Sequence, residues 1–172
     1  MSKHQTKSMG KGMMIAAWIV FLGLLAFFFK NILDKQHNPN QEINSSVLNS
    51  GIRVVRLVRN RNGHYVSRGY INNQEVTFFL DTGATTISIP EPVARKIGLK
   101  RGPPISVSTA NGSIEVYLTT IRRLSIGSIV LDNLSATINP YMEGDDILLG
   151  MNVLKKLEII QKGKILTLKQ YP

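Results

Sequence analysis

The chain has 172 residues and a formal net charge of +10, from 21 Lys and Arg against 11 Asp and Glu. That length allows one modest domain plus an appendage. The absence of cysteine excludes a disulfide framework, a thiolate nucleophile, a Cys-based zinc site and an acylation anchor. The three His, at positions 4, 37 and 64, have no metal-ligand spacing, and no HExxH, P-loop or GxGxxG occurs, so no metal or cofactor is expected.

The first element is Gly12 to Phe29, GMMIAAWIVFLGLLAFFF, a run without a charge bounded by Lys11 and Lys30. As a helix it would span about 27 Å, close to the roughly 30 Å hydrocarbon core of a bilayer. It is longer than the apolar region of a signal peptide and no A-x-A-like site follows, so residues 12–29 read as an uncleaved transmembrane anchor. Lys3, Lys7 and Lys11 precede it, while only Lys30 and Lys35 follow closely. This bias puts the basic N-terminus, residues 1–11, in the cytoplasm and everything after Lys30 outside. The expectation is a single-pass protein of the inner (cytoplasmic) membrane with its domain on the periplasmic or extracytoplasmic side. Residues 30–50, rich in Asn, Gln and Ser, read as a flexible linker reaching roughly 25 Å.

Residues 51–172 carry short strands and turn signals. Ile52–Arg59 and His64–Ile71 are strand-like, and Asn72-Asn73 turns the chain into Gln74–Leu80. Asp81-Thr82-Gly83-Ala84 follows, and then a β-branched strand to Pro90. Pro90–Ile97 reads as a short helix stopped by Gly98. Ile105–Ile121 holds two alternating runs around Asn111-Gly112, a strong hairpin signal. Leu124–Ile138 turns at Gly127-Ser128. Asp146–Leu157 is a strand, a glycine and a helical turn or two, and a last hairpin turns at Lys162-Gly163. Many short strands at this spacing predict an all-β barrel or sandwich.

Asp81 is the notable residue. A carboxylate driven into the end of an apolar strand, Phe78-Phe79-Leu80, is costly unless satisfied or put to work. Two such carboxylates brought together share one proton, because like charges so close cannot both ionise. The ionised one can then activate a water and the protonated one can hydrogen-bond a carbonyl. Asp-Thr-Gly occurs once, so a dyad requires a two-fold homodimer in which Asp81 meets its own copy. The plainer alternative is a capping or turn Asp. The arginines at 53, 56, 59, 61 and 68 read as a solvated strand face, and nucleic acid is not an expected partner.

Three stretches carry a family resemblance: GHYVSRGYINNQEVTFFLDTGATTISIP, ISVSTANGSIEV and LLGMNVLKKLEI. In that order they resemble the retropepsin-like aspartic proteases, most closely the bacterial, membrane-anchored, single-domain branch. The resemblance covers nearly all of residues 64–170. It implies a retropepsin-like closed β-barrel with one or two short helices over residues 51–172, preceded by the transmembrane helix. It implies Asp81 as catalytic, with Thr82 and Gly83 shaping its loop and Ala84 beside the substrate. By the same likeness Thr109, Ala110, Asn111 and Gly112 match the flap tip over the substrate, and Gly150 packs behind the Asp loop. Tyr117, five residues past Gly112, is not assigned the flap-tyrosine role of pepsin-like relatives. The implied activity is a homodimeric aspartic endopeptidase acting on a peptide or protein substrate. The alternative is the same fold used as a non-catalytic peptide-binding or interaction module.

Overall fold

The computed structural model describes residues 3–109 and 112–172, with residues 3–10 in backbone only. The chain divides after Gln36 into a helical unit and a compact unit that begins at His37. The helical unit is α1 (Lys3–His37), whose central run, residues 12–29, carries no charge and whose final residue belongs to the second unit. Within its stretch Lys11–His37 an 18-residue window has a mean hydropathy of 2.4 and none of that window is buried, which is enough by length and composition to cross a membrane. A signal sequence has the same character.

The compact unit is built almost entirely of strands. One sheet has four, in the order β1 (Asn44–Val47), β2 (Arg53–Val58), β11 (Ile165–Gln170) and β10 (Glu158–Lys162). The other has seven, in the order β3 (Tyr65–Ile71), β4 (Gln74–Leu80), β9 (Asp146–Leu149), β5 (Ile87–Pro90), β8 (Ile129–Asn139), β7 (Gly112–Ile126) and β6 (Pro104–Thr109). β3 also pairs with β7, through Tyr70↔Ser125 and Ile71↔Leu124, so this sheet curls back on itself. Two short helices interrupt the strands, α2 (Glu91–Lys96) and α3 (Met151–Leu154). The mainly β architecture agrees with the sequence reading.

The local rules behind these elements are visible residue by residue. Asn72 and Asn73 both take positive φ, 49° and 68°, the geometry of a type I′ turn, and they join Ile71 to its partner Gln74. Gly127 turns β7 into β8 at positive φ. Inward-facing Phe78, Ile87, Ile89, Ile121, Leu124, Ile138, Ile147 and Leu149 are fully buried and form one continuous core. That burial supplies the main drive to fold.

Two details differ from the sequence reading. β7 is a single strand of fifteen residues that pairs with both β6 and β8, not two separate strands. The stretch 30–50 is not a free coil either. It continues α1 to His37 and then docks against the β domain. Asn40 is 3 % exposed, and its amide donates to the carbonyls of Val58 (2.9 Å) and Val66 (2.6 Å) while its side-chain oxygen accepts from Val58 N–H (2.7 Å). β1 then pairs with β2 from Asn44↔Arg56 to Val47↔Arg53. Polar composition suggested a tether; here one Asn side chain stands in for a strand's main chain.

Candidate active site

β4 and β9 run parallel, with Phe78 opposite Ile147 and Leu80 opposite Leu149. Their apolar pairing carries the chain to Asp81, whose N–H continues the ladder to the carbonyl of Leu149 at 3.2 Å. The strand ends there because the chain turns sharply. Gly83 N–H donates to Asp81 Oδ1 at 2.8 Å, and Ala84 N–H to the Asp81 carbonyl at 3.2 Å. Asp81 and Ala84 are half-buried, Thr82 and Gly83 exposed.

Gly150 lies directly behind this loop. A Cβ built on it would stand 2.5 Å from the Thr86 carbonyl oxygen and 2.7 Å from that of Ala84. With no side chain in the way, the start of α3 reaches the loop, where Met151 N–H donates to Ala84 O (2.8 Å) and Asn152 N–H to Thr85 O (3.0 Å). The unpaired N–H groups of a helix start and the unpaired carbonyls of the Asp loop thus satisfy each other. The structure brings together Asp81, Thr82, Gly83, Ala84 and Gly150.

The proposed flap is a separate hairpin. β6 and β7 pair from Pro104↔Tyr117 to Thr109↔Gly112, and Thr109 Oγ1 donates to the Gly112 carbonyl at 2.8 Å. Gly112 has φ of +112°. Ala110 and Asn111 lie outside the described residues. Tyr117 lies below that tip, with the Arg101 guanidinium 4.3 Å from its ring centroid.

Asp81 and Thr82 line an open cavity of about 450 Å³ together with His64, Tyr65, Phe79, Leu80, Leu154, Ile159, Gln161 and Leu166. Neither Thr109 nor Gly112 is part of its wall. Asp81 is the one carboxylate there. The His64 ring leans on Phe79, centroids 4.8 Å apart, and Tyr65 is buried with its hydroxyl unpaired among the described residues. A larger cavity of about 570 Å³ lies elsewhere, between Gly98–Pro103 and β7; it contains Lys100, Arg101 and Arg122 but no acid–base pair. Chemistry rather than volume therefore selects the Asp81 cavity. Its far wall, from β10 and β11, was not foreseen from the sequence, because it comes from residues some eighty positions after Asp81 and no local motif marks them. Among the described residues no cluster of His, Asp or Glu could hold a metal ion.

The sequence profile of the family described as "gag-polyprotein putative aspartyl protease" matches residues 67–156, more than half of the chain, with the Asp81 loop and Gly150 inside the match. The chain belongs to this family. Among solved structures, this retropepsin-like chain is similar to a retropepsin-like aspartic protease from Rickettsia conorii, with a TM-score of 0.60 and 24 % identity over 75 % of this chain and 96 % of that one. That likeness establishes the fold. The EIAV protease, solved with the inhibitor HBY-793, matches with a TM-score of 0.45 and 17 % identity, covering 58 % of this chain and 92 % of that one. An uncharacterized protein in the cobV 5′ region of Sinorhizobium sp is 32 % identical over 114 residues, 64 % of this chain. The retropepsin-like chain spans about half the length of that relative, 49 %.

Proposed function

We propose that the protein is a membrane-anchored aspartic endopeptidase, active as a homodimer in which two Asp81 carboxylates hold and activate one water. The observation that carries this reading is the position of Asp81: a half-buried carboxylate at a strand end, braced by the Gly83 N–H and backed by Gly150, in a cavity that contains no second acid. A lone carboxylate cannot be acid and base at once, and a second copy supplies the other. With one proton shared between them, the ionised Asp81 takes a proton from water as its oxygen attacks the scissile carbonyl carbon. The protonated Asp81 donates to the carbonyl oxygen. The pair titrates as a unit. An extended peptide adds to the cleft as a strand, with Thr109–Gly112 as the flap over it and Ala84 in contact beneath. α1 anchors the chain, with the β domain on the extracytoplasmic side.

The test uses the full chain in detergent micelles, as wild type and as Asp81→Asn, incubated with an unstructured protein from pH 3 to 7. Asparagine keeps the size and removes the shared proton. The expected result is cleavage by wild type with a pH profile bounded by two apparent pKa values, and a loss of about 10²–10⁴-fold or more in the variant. If neither cleaves although both are folded and dimeric, the fold serves as a peptide-binding module instead.

A further inference from the structure

The recess of about 570 Å³ between the Gly98–Pro103 loop and β7 shares no wall residue with the Asp81 cavity. We infer that it binds a small molecule carrying a phosphate monoester, held by Lys100 and Arg122 against the hydroxyls of Thr120 and Ser135. The site stands independently of the Asp81 reading.

Its shape is fixed by main-chain bonds. Gly102 N–H donates to the Leu118 carbonyl at 2.7 Å and Leu118 N–H to the Pro103 carbonyl at 3.0 Å. Thr119 Oγ1 donates to the Lys100 carbonyl at 2.9 Å. A Cβ on Gly102 would stand 2.7 Å from that same Leu118 oxygen, so a glycine lets the loop lie this close to β7. Arg101 braces the rim. It pairs with Glu91 of α2, and its guanidinium lies 4.3 Å from the Tyr117 ring centroid. A concavity held in this way is formed before its ligand arrives.

Its charge is uncompensated. The wall contains Lys100, Arg101 and Arg122 but no Asp or Glu. Other cations of the domain have acid partners, Arg68 with Glu75, Arg123 with Asp132 and Lys169 with Glu158, and Arg101 is taken by Glu91. The Lys100 and Arg122 side chains pair with no carboxylate among the described residues. Like charges around one recess repel, and an anion between them removes that cost.

The remaining polar groups are donors in search of an acceptor. Thr120 and Ser135 are directly opposed on β7 and β8, so their hydroxyls share a face, and both line the recess. Neither hydroxyl has a hydrogen-bond partner among the described residues. Asn72 commits its side-chain oxygen to the Arg123 N–H at 3.1 Å and keeps its amide donors. A phosphate group offers three strong acceptor oxygens, which match the fork of an Arg, the point charge of a Lys and two hydroxyls. A carboxylate has one oxygen fewer and would leave part of this set unmet. The volume lies in the range of small-molecule sites, so the phosphate is one end of a larger ligand. Leu99 and Leu118 present apolar surface to the rest of it. No aromatic side chain lines the recess, so a nucleobase finds no stacking face.

The test uses the full chain in neutral detergent micelles at low ionic strength. Glucose 6-phosphate is titrated by calorimetry, with glucose as the uncharged control. In a second arm phosphatidic acid, whose headgroup is also a phosphate monoester, is mixed into the micelles. Both arms are also followed by the rise in melting temperature. Wild type is expected to bind glucose 6-phosphate and not glucose. Lys100→Gln and Arg122→Gln should each raise the Kd about 10- to 100-fold through loss of a charge-assisted hydrogen bond, and Thr120→Ala about 3- to 10-fold. All three positions are exposed, so without ligand the variants should melt with wild type. Lys164→Gln removes the same charge outside the recess and should leave the Kd within about 2-fold. If Lys164→Gln weakens binding as much as Arg122→Gln, the net charge of the chain holds the anion and the proposal falls. It falls equally if glucose binds as tightly as its phosphate, or if neither phosphate monoester binds. Stabilisation by phosphatidic acid alone, lost in Lys100→Gln and Arg122→Gln, keeps the site and identifies its ligand as a lipid headgroup. Asp81→Asn is expected to bind with an unchanged Kd, so a chain that binds the phosphate but never cleaves protein upholds the recess while the protease reading fails.

Discussion

Gly150 is glycine for a steric reason, not a conformational one. Its φ of −90° and ψ of −175° are ordinary extended values, but the carbonyl oxygens of Ala84 and Thr86 occupy the space a Cβ would need. Both obstructing atoms are main chain, which cannot swing aside as a side chain can. Gly150→Ala is therefore expected to cost about 1–3 kcal/mol in a thermal melt, and to lower activity further by pushing the Asp81 loop forward. Gly83 offers the contrast. A Cβ there would meet only the Asp81 carboxyl, with Oδ1 at 3.2 Å and Cγ at 4.0 Å. Gly83→Ala should leave stability within about 0.5 kcal/mol yet lower cleavage about 10–100-fold, because it moves the reacting group and little else. Equal stability losses in the two variants would refute this division. The Asp loop was legible in the sequence because Asp81, Thr82, Gly83 and the apolar run before them are neighbours in the chain. Tyr65, Ile159 and Gln161, which wall the same cavity, were not legible. They reach it only through the pairings of β3 with β4 and of β10 with β11, and their local patterns are those of any half-buried strand.

Among the elements, the hairpins were the most legible, since Asn72-Asn73, Gly127 and Gly163 declare their turns locally. β1 was not, because its surroundings are secured by one long-range side chain. Asn40→Ala removes two donors and an acceptor from the main chain of Val58 and Val66 and should destabilise the domain by about 2–4 kcal/mol. Asn40→Asp should be no better, since it keeps the acceptor but turns an oxygen toward two carbonyls. If both variants melt with wild type, the segment before β1 is not part of the cooperative unit. The last strands are tied by charge instead. The Tyr171 hydroxyl donates to Glu158, holding that carboxyl below its usual range with help from Lys169, and Glu158 in turn raises the Tyr171 phenol. A lowered carboxyl stabilises the fold above its unfolded pKa, about 4.3, and loses that contribution as pH falls through its folded value. A raised phenol stabilises below about 10 and loses its contribution as pH rises through its folded value. The melting difference between wild type and Tyr171→Phe should thus be largest near pH 7 and shrink toward both pH 3 and pH 11. A difference that is flat across this range would mean that the ring's packing, not the hydrogen bond, holds the C-terminus.

At the scale of the whole molecule, the helix and the proposed dyad bear on one another. In the proposed dyad, a chain that carries a single Asp-Thr-Gly works only when a second copy is within reach. If α1 confines both copies to one bilayer, as proposed, a search in three dimensions becomes one in two and their effective concentration rises. Activity should then depend on surface density rather than on bulk concentration. With the full chain reconstituted in vesicles, diluting protein against lipid at fixed total protein should lower cleavage per chain once dimers begin to dissociate. Diluting the vesicles in buffer at a fixed protein-to-lipid ratio should leave it unchanged. Cleavage per chain that stays constant down to one chain per vesicle would show that a single copy is the active unit, and the shared-proton mechanism would fall with it. Sensitivity to vesicle dilution instead would mean that the β domain has left the bilayer, as it would after removal of α1 as a signal sequence. The two dilution series thus separate the anchor from the dyad, which the sequence alone left bound together in one expectation.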